Sequence, residues 1–146
     1  MWLSVVMVKI YRMVNQSPKI IAVSEFKDEY EDEVIQRWGD SPAYAQSKER
    51  TSKYSHKDFQ AAKVDQEAVT EKFAYAFGNS LGASSKQAQQ AVVEHRAAIS
   101  KWFYECSVQM QKNLALIYVQ DSRFKKYYDD RVRGLAQFVH DAIMAQ

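Results

Sequence analysis

Residues 55–82 read SHKDFQAAKVDQEAVTEKFAYAFGNSLG and carry a helix with both ends marked. Ser55 is followed three residues later by Asp58, an acidic variant of the capping box, in which a side chain at each position takes the other's free backbone amide. Phe59, Ala62, Val69, Phe73, Ala76 and Phe77 then fall in an arc roughly 100° wide at about 100° per residue, a stripe that faces a core. Gly78-Asn79-Ser80-Leu81-Gly82 is the clearest turn in the chain. The helix is therefore expected to end near Asn79.

Working outward, Ser84 or Ser85 caps a helical pattern that runs on to Val119, a length that often conceals a kink or break. Asp121 caps a short helix with Arg123, Phe124, Tyr127 and Tyr128. The last helix is expected over 130–145, burying Val132, Leu135, Ala136, Val139, Ala142 and Ile143. Towards the N-terminus, Asp40-Ser41-Pro42 starts a helix over 42–53 with a capping residue and an early proline. Its composition is mostly polar, so it should lie on the surface. A further helix over 25–38 places Phe26, Tyr30, Val34 and Trp38 at helical spacing, closed by Gly39. Residues 1–24 form an appended segment whose structure the pattern leaves open: Leu3, Val6, Met7 and Ile10 fit a helix, while Val5, Val6 and Val8 suit a strand nearly as well. The expected fold class is all-α, a single-domain bundle of about five to seven helices over 25–146.

Composition agrees. Four glycines and two prolines in 146 residues leave little room for the tight turns of a sandwich or barrel. Twenty basic and 18 acidic residues are interspersed, with no basic face for nucleic acid. A single cysteine, Cys106, precludes an internal disulfide. The apolar start lacks the basic region and cleavage site of a signal peptide, and Lys9 and Arg12 interrupt it before it could span a bilayer. The cytoplasm is the expected compartment, with no membrane partner.

For function, residues 102–118, WFYECSVQMQKNLALIY, are the most informative. On one helical wheel Trp102, Asn113, Cys106, Ile117, Met110, Phe103, Leu114, Ser107 and Tyr118 span roughly 160°. That is wider than one neighbouring helix needs, and its mix of aromatic, thioether and small polar groups suits a ligand pocket. A central core helix explains the periodicity as well, and periodicity alone favours it. Cys106, in mid-helix beside Glu105, has nothing to activate it and reads as a buried structural thiol. His95 has Ile99 at i+4 and so no second metal ligand at helical spacing. Glu29, Glu31, Asp32 and Glu33 read as a solvated face. No phosphate loop, zinc pattern or nucleophile elbow is present, so neither an enzyme nor a cofactor is expected.

Five segments fall in the order and spacing of a known family: YEDEVIQRWG (30–39), AYAQSKERTSKY (43–54), Glu94-His95-Arg96, YVQDSRF (118–124) and GLAQFVHDAI (134–143). Together they resemble the TipAS domain, the antibiotic-recognition half of a group of MerR-type transcription regulators. The resemblance covers about residues 26–146. It implies a globin-like helical bundle without haem, in which mobile helices fold over a hydrophobic peptide antibiotic such as a thiopeptide. Full-length members add a winged helix-turn-helix and a coiled coil, which nothing here resembles. A free-standing drug-sequestering form and a fragment of a longer regulator are both compatible with the sequence.

Thiopeptide-capturing members carry a cysteine immediately before the leucine that leads into the YVxDxRF motif. Here that position is Asn113, followed by Leu114, and Cys106 matches a different, structural cysteine. The resemblance therefore implies reversible binding and sequestration or sensing. Its ligand-binding residues would be drawn from Trp38, Tyr44, Trp102, Cys106, Met110, Asn113, Leu114, Ile117 and Tyr118. The competing readings are a helical interaction module that dimerises through the apolar start, or an effector fragment of a MerR-type regulator. An enzyme using Cys106 ranks below both.

Overall fold

The computed structural model describes Gln36 and residues 39–146, and Ser41 opens the first helix described over its whole length. Of the expected helix over 25–38 only Gln36 is described, and it is helical; Trp38 and the apolar start lie outside the described residues.

The first five helices begin where a polar side chain accepts an otherwise free amide. Ser41 takes the Tyr44 N–H and starts α1 (Pro42–Thr51). Ser55 takes the Asp58 N–H and starts α2 (His56–Gly78), and the Asp58 carboxylate accepts the Ser55 N–H in return, completing the box. Ser85 caps α3 (Lys86–Trp102), Ser107 caps α4 (Val108–Gln120) and Asp121 caps α5 (Ser122–Asp129). The sixth, α6 (Leu135–Met144), follows Gly134 at φ +90° and has no side-chain cap at that residue. Instead Asp129 Oδ1 accepts the Ala136 N–H at 3.0 Å. A Cβ on Gly134 would also sit 3.3 Å from the Phe77 ring, so the tight turn and the close approach both call for glycine.

The main packing is α2 on α3 and α4 on α6, with α5 bridging the second pair. Alanines 76, 88, 91, 115, 136 and 142 are fully buried, and such small side chains let helix axes come close. Phe73, Val92, Ile99, Leu114, Leu135, Val139 and Ile143 fill the space between them. The described residues contain helices and no strands, so the all-α expectation holds. No described helix is long and apolar enough to cross a membrane.

Two boundaries differ from the sequence reading. The pattern over 86–119 is two helices, because the chain leaves α3 at Phe103 (φ −122°, ψ −71°) and Ser107 caps a new start. Neighbouring residues on a helix point about 100° apart, so leaving the helix lets Phe103, Tyr104 and Cys106 all be buried. The last helix begins at Leu135 rather than 130, since Asp130 ends α5 and Gly134 turns the chain. Helix α1, expected to be a mostly polar surface helix, buries Tyr44 and Ser47.

Candidate functional site

The break between α3 and α4 resets the helical phase, so the wheel drawn from Trp102 to Tyr118 is not one surface. On α4 itself Gln111, Leu114, Ala115 and Tyr118 are buried. Met110 and Ile117 are half-buried against the core, and Asn113 is exposed beside them. Leu116, which the sequence reading passed over, is 41% exposed on the same side. Gln109 Nε2 donates to Asn113 Oδ1 at 3.2 Å. Asn113 therefore sits on an open, amphipathic edge formed with Met110, Leu116 and Ile117, where apolar contact and a few hydrogen bonds are both on offer.

Trp102 and Cys106 belong to the joint that precedes α4, while Tyr44 is buried on α1. The Trp102 indole N–H donates to Asp65 Oδ2 at 2.7 Å, and the ring meets Tyr54 edge-on at 5.8 Å between centroids. Lys101 stands 4.7 Å from the Trp102 ring centre and also binds Asp65, holding that carboxyl below the usual range. Cys106 is buried, and burial pushes its thiol up to about 11. At neutral pH it is a thiol, not a thiolate, and so a poor nucleophile.

Leu114 and Tyr118 face inward. Tyr118 closes a chain of polar groups around His95, which has no exposed surface. Gln111 Nε2 donates to the Val92 carbonyl at 2.8 Å and, with its second hydrogen, to His95 Nδ1 at 2.8 Å. That makes Nδ1 the acceptor and leaves the Nε2 hydrogen to donate to the Tyr118 hydroxyl at 3.0 Å. Gln111 Oε1 in turn accepts from Arg96 at 3.1 Å and from Gln146 at 2.9 Å. Burial, helped by the neighbouring Arg96 charge, lowers the His95 pKa to about 4. The histidine is neutral and fully engaged, a satisfied core residue. Tyr118 and Tyr128 are hydrogen-bonded to each other and raised by burial. Among the described residues no three His, Cys, Asp or Glu gather as a metal site.

The residues singled out in the sequence thus fall into three places. Met110, Asn113 and Ile117 share the open edge of α4. Trp102 and Cys106 lie at the joint, Tyr44 is buried on α1, and Leu114 and Tyr118 are buried in the core.

A model of the TipAS antibiotic-recognition domain matches residues 30–146. The HTH-type transcriptional activator TipA of Streptomyces coelicolor is 37% identical over 118 residues, which is 81% of this chain and 47% of that protein. TipA of Streptomyces lividans matches to the same extent. The HTH-type transcriptional activator mta of Bacillus subtilis is 27% identical over 122 residues, 84% of this chain and 46% of that protein. The chain therefore spans about half the length of these curated relatives. Among solved structures, TipAS of Streptomyces lividans in complex with nosiheptide, described as part of a thiopeptide antibiotic multidrug resistance system, superposes with a TM-score of 0.76. It is 37% identical, and the match covers 83% of this chain and 85% of that one.

Proposed function

The chain belongs to the TipAS antibiotic-recognition family, and from that premise we propose that it binds thiopeptide-like antibiotics reversibly, against the open edge of α4. The observation that carries this reading is the structural likeness to a domain solved with nosiheptide bound. The geometry suits such a ligand. Met110, Leu116 and Ile117 offer apolar surface to a rigid, ring-rich molecule, and Asn113 supplies an amide that both donates and accepts. Each Å² of apolar surface removed from water contributes roughly 25 cal/mol before the cost of ordering either partner.

Reversibility follows from the chemistry of two positions. An amide at 113 cannot attack an electron-poor alkene, and the Cys106 thiol is buried and held protonated. The same facts support a binder rather than an enzyme. The relatives being HTH-type activators supports a second use of the same event, as the sensing half of a larger cytoplasmic regulator rather than a drug sponge. In that case DNA contact belongs to another part of the protein.

Tryptophan fluorescence and thermal shift against nosiheptide and other thiopeptides test the reading. A saturable response is expected, weakened by Leu116→Ala combined with Asn113→Ala while the unliganded melting temperature stays put. Unchanged affinity in that variant would remove the site from α4.

A further inference from the structure

The joint over 103–107 needs something to fix its shape. Outside a helix, each of its residues has two soft backbone angles, and the last carbonyls of α3 have no partners further along the same helix. Two hydrogen bonds from within tie it down: Phe103 N–H to the Ile99 carbonyl at 2.9 Å, and Cys106 N–H to Ser100 Oγ at 3.1 Å.

Further ties come from a distant stretch of chain. Arg50 Nη1 donates to the Ser100 carbonyl at 2.7 Å, and the Tyr54 hydroxyl donates to the Trp102 carbonyl at 2.5 Å. Gln46 Oε1 accepts the Glu105 N–H at 2.7 Å. Gln46 and Arg50 are four residues apart on one side of α1, and Tyr54 follows the turn that ends it. Two of these bonds hold the last turn of α3, and the third holds the segment that enters α4. The Tyr54 ring adds edge-on contacts to Phe59 and Trp102.

We infer that Gln46, Arg50 and Tyr54 are positioning residues for the ligand-binding edge: they set the bend through which α4 leaves α3, and with it the placement of Met110 and Asn113 relative to Tyr44 and Trp102. The inference rests on the binding reading above for its ligand, and on the hydrogen bonds alone for the clamp. None of the three side chains need touch the antibiotic.

The test uses the full chain with Gln46→Ala and Arg50→Gln together, and nosiheptide as the probe. Amide exchange at Tyr104, Glu105, Cys106 and Ser107 should accelerate by at least about tenfold, with exchange in the cores of α2 and α6 unchanged. Nosiheptide affinity should fall by about tenfold, and Arg50→Lys alone should retain most of it, because one charged donor still reaches the Ser100 carbonyl. Wild-type affinity in the double variant, or unchanged exchange over 104–107, would overturn the inference. A chain that binds no nosiheptide at all would instead overturn the functional reading, and the exchange contrast would still judge the clamp.

Discussion

Helix α4 has two sides, and they differ in how their polar groups are satisfied. Inward, Gln111 and Tyr118 spend their hydrogen bonds on Val92, His95, Arg96, Tyr128 and Gln146, groups drawn from α3, α5 and the end of the chain. Outward, Asn113 has Gln109, one turn away on the same helix, and otherwise faces water. A saturated buried network holds a structure together, because any change leaves a polar group stranded. A solvated amide among half-buried apolar side chains can exchange water for a ligand at little cost to the fold. On the proposed function, the same thirteen-residue helix separates stability from recognition by face.

Two leucines give the sharpest contrast. Leu114 is 1% exposed and Leu116 is 41% exposed. Leu114→Ala should cost roughly 2–5 kcal/mol in urea unfolding, through lost burial and a residual cavity. Leu116→Ala should stay within about 0.5 kcal/mol and act on ligand affinity instead. Comparable losses for the two would erase the distinction between the faces.

Acid probes the inner face alone. The His95 pKa is lowered from 6.5 to about 4, so between those values the unfolded chain binds a proton that the folded chain refuses. Stability should fall as pH drops through that window, by up to about 3 kcal/mol, and the loss should level off near pH 4. Carboxylates held down by partners add their own loss at the acid end of that window and below it, Glu94 beside Lys72 as pH falls through about 4.5 and Asp65 beside Lys101 and Trp102 through about 3.8. A urea midpoint that does not change from pH 6.5 to 4 would mean that His95 is not buried as described.

Tyr118→Phe should cost about 1–3 kcal/mol, since the His95 Nε2 hydrogen loses its acceptor without any change of ring packing. Asn113→Ala, on the other face, should leave chemical denaturation within about 0.5 kcal/mol of wild type and weaken nosiheptide binding. An Asn113→Ala that unfolds more easily than Tyr118→Phe would invert the assignment.

Much of this was legible in the sequence, and the rest was hidden for physical reasons. Ser41, Ser55, Ser85 and Asp121 mark helix starts through contacts with residues two or three positions away, and local patterns report local contacts. The bend at 103–107 was harder to see because the apolar spacing runs through it, while the reason for it is burial of Phe103, Tyr104 and Cys106 by other elements. Missing the bend put Trp102, Phe103 and Cys106 on one surface with α4; on α4 itself burial separates Leu114 and Tyr118, which are buried, from Leu116, which is exposed. Gln111 was passed over for a similar reason. A buried glutamine makes sense only with partners 15 to 35 residues away. Asn113 was the reverse case, visible through resemblance to the family and then placed by the structure on the open side of α4.

Calorimetric titration of the full chain with nosiheptide, followed by intact mass of the saturated sample after dialysis, tests the central claim most directly. Reversible recognition predicts a saturable heat and a recovered protein of unchanged mass. No binding at any accessible concentration would contradict recognition, and an added antibiotic mass would contradict reversibility and point to Cys106 as the attacking group.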